Sequence, residues 1–182
     1  AETREWYVTH GVPYRRGIML SGPPGTGKTS TVAALASFLK RDVHKVNLVA
    51  PKLCDSSLHQ AFTQAKSNSI IVLEDIDCLF GTMREKKEEF CVTFSGLLNA
   101  IDGLQDPKGI LFIFTSNHPE RLDPALRRKG RIDIEFALER SNKEQIMAML
   151  KRFYPDASKK QQQVFAESHQ QSAFRARLLN QI

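Results

Sequence analysis

GPPGTGKT, residues 22–29, follows the apolar run Ile18-Met19-Leu20 and precedes a segment with Ala33, Ala34 and Leu35 at helical spacing. The eight residues fit the G-x-x-x-x-G-K-[ST] template, in the strand–loop–helix setting the template needs. Glycine lets the backbone wrap close to phosphate oxygens, and the amides and helix N-terminus face the negative charge. Gly22, Pro23, Pro24, Gly25, Thr26, Gly27, Lys28, Thr29 and Ser30 are therefore expected around the phosphates of ATP or ADP. Lys28 is assigned to the β- and γ-phosphates, and the Thr29 hydroxyl to Mg²⁺. The competing reading is a glycine-rich turn that matches by chance; the flanking strand and helix weigh against it.

A phosphate loop needs acids at the end of a neighbouring strand. IIVLEDID, residues 70–77, supplies them: four apolar residues, then Glu74 and Asp75. An acid directly after the strand holds the metal shell, and hydrolysis needs a group that orients or deprotonates water. Position makes Glu74 the metal-side acid and Asp75 the general base. ATP-hydrolysing proteins more often carry these acids as Asp then Glu. The order here lengthens the first side chain and shortens the second by one methylene, roughly 1.5 Å of reach. Hydrolysis is expected to survive, with water filling the gap on the base side. Solvated acids without catalysis are the alternative.

Further on comes TSN, residues 115–117, after the apolar run Ile110 to Phe114. A polar side chain at the C-terminal end of a strand beside the phosphate strand lies at a ligand crevice. Asn117 is placed against the attacking water or the γ-phosphate, or else it only forms the turn before His118-Pro119. LDPALRRKGRID, residues 122–133, crowds four basic residues around Gly130. It reads as a solvated patch, as a nucleic-acid contact, or as arginine fingers in which Arg128 and Arg131 reach a neighbour's γ-phosphate. The residues alone do not choose among these.

Around these motifs strands and helices alternate. Strands are expected near 18–20, 43–48, 70–73, 110–114 and 133–138. Helices are expected near 28–40, from a Ser56 cap to about 66, and along the face Phe90, Phe94, Leu97, Leu98 and Ile101. Short strands that are apolar throughout suit a parallel sheet covered on both faces, so the class is α/β. Residues 81–89 read as a surface loop. After Leu138 the pattern turns helical: Ser141 and Glu144 have capping-box spacing, and further helices are expected near 160–169 and 172–182. The ATPase core is therefore drawn as 1–140 and a small helical lid as 141–182.

The 182 residues are 41% hydrophobic and 25% charged, an ordinary globular composition with net charge +6. Cys54, Cys78 and Cys91 lack metal-site spacing and read as free thiols. No apolar run is long enough to cross a bilayer. The chain begins at Ala1 without a methionine and reads as a piece of a longer protein.

GPPGTGKT, the acidic strand, TSN and LDPALRRKGRID, in this order, resemble the AAA family of ring ATPases over residues 16–138. The resemblance implies a P-loop ATPase with a five-stranded parallel sheet in the order 5-1-4-3-2, a small α-helical lid, and a homo-oligomeric ring, hexamer or heptamer, with ATP at subunit junctions. It implies inter-subunit roles for Arg128 and Arg131. REWYVTHGVPYRRG (4–17), LEDID (73–77), VTFSGLLNAIDGL (92–104) and RFYP (152–155) further resemble the mitochondrial inner-membrane AAA chaperones that assemble respiratory complex III. There the Glu-Asp order is usual. That resemblance implies a matrix-facing ATPase that passes the folded Rieske iron–sulphur protein across the membrane, anchored by a segment before Ala1. Arg175 stands where that subfamily tends to have Gln or Glu, and reads as a surface arginine or a cis phosphate sensor.

Unfoldases of the family carry an aromatic-apolar-Gly pore loop after the second strand. Here that stretch is VAPKLCDSSL (49–58), without aromatic or glycine. A folded client suits it better than a gripped extended chain. Two other functions compete: a nucleotide-gated scaffold with little hydrolysis, suggested by the acid order, and a nucleic-acid remodeller, suggested by the charge. The basic cluster lacks the interleaved aromatics of a nucleic-acid surface, so no nucleic-acid partner is expected.

Overall fold

The computed structural model describes residues 4–11, 14–77, 92–103 and 109–169. The expected loop at 81–89, Phe90, Cys78, Cys91, the 172–182 helix and Arg175 lie outside these residues.

A short helix α1 (Arg4–Thr9) leads into β1 (Arg16–Ser21), then α2 (Lys28–Leu39), β2 (Val43–Val46), α3 (Asp55–Gln64) and β3 (Ile70–Leu73). After the interval come α4 (Phe94–Asp102), β4 (Leu111–Ser116), two 3₁₀ turns (Pro119–Arg121 and Pro124–Arg127), β5 (Ile134–Ala137), α5 (Lys143–Phe153) and α6 (Lys159–His169). The five strands form one sheet in the order β2-β3-β4-β1-β5. Each neighbouring pair is parallel. Read from the other edge, this is the expected 5-1-4-3-2.

The register explains the apolar runs. Every side chain of β3 and β4 is buried because both sheet faces are covered. Alternate residues go to opposite layers. Ile71, Leu73, Phe112 and Phe114 meet Leu58, Phe62, Leu97 and Ile101 of α3 and α4. Ile70, Val72 and Ile113 meet Val32 and Ala36 of α2. Leu97 is fully buried, and truncating such a leucine to alanine costs about 2–5 kcal/mol.

Several boundaries differ from those expected. α3 starts at Asp55 with Cys54 as its N-cap, not Ser56; the Ser57 hydroxyl accepts from the Cys54 amide at 2.9 Å. α5 is capped by Asn142 and Gln145 in a reciprocal capping box, one residue beyond Ser141 and Glu144. The asparagine wins because its amide oxygen reaches the Gln145 N–H at 2.9 Å. α5 and α6 pack through Ile146, Leu150 and Ala166, a cluster separate from the sheet layers.

α1 is held by its aromatic residues. Trp6 stacks on His10 with centroids 4.3 Å apart, and Tyr7 packs against Tyr14. The Tyr7 hydroxyl accepts from the Arg16 guanidinium at 3.0 Å, tying α1 to the start of β1. Next to it Gly17 abuts the loop before β5. A Cβ there would lie 1.5 Å from the Arg131 carbonyl oxygen, so only glycine fits.

Candidate active site

β1, β3 and β4 end together, and the loops leaving them form one cleft. The chain leaves β1 through Gly22, whose backbone is pinned on two sides. Its N–H donates to the Ser116 carbonyl at 3.1 Å, and a Cβ on it would strike the Leu138 carbonyl. Gly22, Gly25 and Gly27 all have positive φ, at 144°, 82° and 97°, conformations that glycine takes without a Cβ clash. At Gly27 a Cβ would meet no atom within 4 Å. The loop thus runs as bare backbone into the N-terminus of α2, where the first-turn amides lack intrahelical partners. Pro24, Gly25, Gly27, Lys28, Thr29, Ser30, Asp75 and Asn117 line a cleft of about 290 Å³.

Lys28 is buried although charged. Its ammonium donates to the Gly22 carbonyl at 2.7 Å, the Pro23 carbonyl at 3.1 Å and the Asn117 amide oxygen at 2.6 Å. Burial lowers its pKa from the ordinary lysine value, while Asp75 and Asp77 act in the opposite direction. Thr29 turns its hydroxyl to the Glu74 carboxylate at 3.3 Å. Glu74 also meets the Lys45 ammonium of β2 at 3.1 Å. These groups fit a magnesium-bound triphosphate: amides and an ammonium for the phosphate oxygens, a hydroxyl and a carboxylate, both hard oxygen donors, for the metal.

The acid order has a backbone reason. Asp75 lies in the left-handed region with φ 49°. Aspartate and asparagine visit that region far more readily than other non-glycine residues, because a short polar side chain bonds locally. The turn is fixed by β4: the Asp75 amide donates to the Thr115 hydroxyl at 2.9 Å, and the Ile76 amide to the Thr115 carbonyl at 3.0 Å. Position 75 therefore favours Asp over Glu. Asn117 donates its amide N–H to the Asp75 carboxylate at 3.2 Å. Its own backbone N–H donates to Asp77 at 3.1 Å. One asparagine thus links the phosphate-loop lysine to the second acid.

The two arginines differ. Arg128 is exposed, and its guanidinium meets no partner among the described residues. Arg131 is engaged within its own chain. It donates to the Asp102 carboxylate at 2.5 Å and 3.1 Å, and to the Ala125 carbonyl at 2.8 Å. Its side chain is only 15% exposed. The hydrogen bond from Arg131 holds the Asp102 carboxyl below its ordinary range. Of the two arginines expected to act between subunits, Arg128 is exposed to solvent, whereas Arg131 points inward. Asp77, Lys45, Thr115 and Asp102 carried no signal as partners in the sequence reading: each acts through a residue far along the chain.

A P-loop cleft at the strand ends of a β2-β3-β4-β1-β5 sheet defines a nucleotide-binding α/β domain. The profile described as "ATPase family associated with various cellular activities (AAA)" matches residues 18–140. The chain belongs to the AAA family. It is 44% identical over 153 residues to a protein of Schizosaccharomyces pombe named probable mitochondrial chaperone bcs1, covering 82% of this chain and 34% of that protein. To the mitochondrial chaperone BCS1 of Homo sapiens it is 39% identical over 171 residues, covering 90% of this chain and 41% of that protein. A protein of Arabidopsis thaliana named as an AAA-ATPase is 40% identical over 167 residues, covering 82% of this chain and 35% of that protein. The chain therefore spans between a third and about two fifths of these relatives.

Proposed function

We propose that this chain is the ATPase module of a ring-forming mitochondrial protein chaperone and hydrolyses Mg-ATP at subunit junctions. The observation that carries the reading is the convergence of Lys28, Thr29, Glu74, Asp75 and Asn117 on one cleft at the phosphate loop. The chaperone part rests on the named relatives.

Residues 22–30 hold the phosphates through backbone amides and Lys28. Thr29 and Glu74 hold Mg²⁺, which when bound supplies positive charge to the phosphoryl oxygens. Asp75 accepts the proton of the attacking water, and Asn117 orients Asp75 through its amide N–H. Arg128 of each subunit reaches the γ-phosphate at the next subunit's site. Residues 141–182 act as the lid on the nucleotide.

In the whole protein a membrane segment outside this chain places the ring at the inner mitochondrial membrane, with this module in the matrix. Among the described residues no helix is long and apolar enough to cross a membrane. The client is a folded protein, and the Rieske iron–sulphur protein of complex III is the candidate. The 49–58 stretch, with neither aromatic nor glycine, favours a folded client over a threaded chain. The positive φ of Asp75 offers a backbone reason for the acid order that suggested a scaffold with little hydrolysis, and turnover decides between the two readings.

The test is steady-state ATPase of the assembled full-length protein. Lys28→Ala should abolish nucleotide binding, and Asp75→Asn should retain binding and lose turnover. Full turnover in Asp75→Asn would remove Asp75 from its role.

A further inference from the structure

Arg128 and Arg131 are three residues apart, and the loop between them is among the most heavily tied segments of the chain. The backbone ties come first. The Gly130 N–H donates to Asp133 at 2.8 Å, and the Gly17 N–H to the same carboxylate at 2.9 Å. The Asp133 N–H returns to the Gly17 carbonyl at 2.9 Å. The Arg128 carbonyl accepts from the Arg131 N–H at 3.1 Å.

The side-chain ties follow. Arg131 forks onto Asp102 at the last residue of α4. Arg15 meets the same carboxylate at 3.0 Å. Arg15 also donates to the Gly130 carbonyl at 3.1 Å and to the Ile101 carbonyl. Its side chain is 9% exposed. A carboxylate gripped by two largely buried guanidiniums is a fixed joint, since the planar fork of arginine sets both distance and direction. The joint connects three parts of the chain: the segment before β1, the C-terminus of α4 and the 128–133 loop.

We propose that Arg131 is a positioning residue and not a second trans arginine: with Asp102 and Arg15 it forms a cis clamp that fixes the loop presenting Arg128 to the neighbouring subunit. It is an alternative to the inter-subunit role that family resemblance implies for Arg131. It rests on the reading that ATP is hydrolysed between subunits with Arg128 supplied in trans. For Arg131 to reach a neighbour, it would have to leave Asp102 and the Ala125 carbonyl, and leave Asp102 facing Arg15 alone.

The two roles predict opposite effects of removing Asp102. A tethered trans finger would be released, so Asp102→Asn would leave kcat unchanged or raise it. A clamp would be broken, so Asp102→Asn would lower kcat much as Arg131→Ala does. The experiment is steady-state ATPase and calorimetric Mg-ADP binding on the assembled full-length protein. Arg128→Ala should lower kcat about 10³-fold or more with Kd unchanged. Asp102→Asn and Arg131→Ala should each lower kcat about 10- to 100-fold through misplacement of Arg128, again with Kd unchanged. The double variant should fall no further than the worse single one, because both break one joint.

Should Arg131→Ala fail to fold, Arg131→Lys keeps the charge without the fork, and a several-fold fall in kcat at constant KM is expected. The proposal is overturned if Asp102→Asn keeps or gains turnover, or if the effects of Asp102→Asn and Arg131→Ala multiply. Arg128→Ala with full turnover would instead overturn the inter-subunit reading beneath it, whatever position 102 shows.

Discussion

The Lys28 ammonium lies 2.6 Å from the Asn117 amide oxygen, so a side-chain hydrogen bond joins the helix that follows the phosphate loop to the end of β4 across the cleft. The other end of the same amide donates to Asp75. Removing it should therefore disturb catalysis more than binding. Asn117→Ala is expected to lower kcat about 10²-fold, in line with the loss of one preorganised polar group, while Mg-ADP binding by calorimetry changes less than about threefold. An equal fall in binding and turnover would assign Asn117 to ground-state binding.

Asp75 offers a test of backbone against chemistry. Its φ of 49° makes a longer carboxylate unwelcome. Asp75→Glu should destabilise the protein by about 0.5–1 kcal/mol, read by chemical denaturation, and should not speed hydrolysis. Asp75→Asn suits the same φ and should keep stability while losing about 10²- to 10⁴-fold in kcat. Faster turnover in Asp75→Glu would show that the acid order, and not the backbone, limits the rate.

Lys45 and the proposed Mg²⁺ site share a carboxylate, since Lys45 pairs with Glu74 at 3.1 Å. Both side chains are partly solvated, so the pair is worth about 0.2–1 kcal/mol. Lys45→Met should release Glu74 and lower the Mg²⁺ concentration for half-maximal ATPase activity by about 1.5- to 5-fold. A higher Mg²⁺ requirement would instead mean that Lys45 holds Glu74 in its metal-binding position.

Cys54 supplies a pH readout on the stretch after β2. Hydrogen bonds from the Ser56 and Ser57 hydroxyls lower its thiol pKa to about 7. A depressed pKa means that the charged form is favoured in the folded chain. Its stabilising contribution is therefore present above the ordinary thiol pKa and is lost as pH falls through about 7. Iodoacetamide labelling followed by mass spectrometry should rise between pH 6 and 8 with its midpoint near 7. Ser57→Ala should move that midpoint upward. An unchanged midpoint would locate the cause elsewhere.

What could be read from the sequence follows from the range of the forces involved. The phosphate loop and β3 announce themselves locally, one by glycine spacing and the other by four apolar residues with punctuation on each side. α1 gives no such signal, because six residues hold too few turns to show a period and its stability comes from aromatic contacts. The Cys54 and Asn142 caps were missed because several neighbouring residues can cap, and the chain direction into the helix decides. The sheet order came from family resemblance and not from periodicity. Asp102 and Arg131 are 29 positions apart, and Arg15 and Asp102 are 87; nothing in one sequence pairs such residues. The conformation of Asp75 was equally hidden, since it is set by Thr115 on another strand.

Gly17 lies near the start of β1, before the phosphate loop, yet its missing side chain lets the Arg131 carbonyl sit where a methyl group would be. On the inter-subunit reading proposed above, a missense change in this codon would displace the loop that one protomer lends to the next. The harm would then surface in a neighbour whose own gene product is intact.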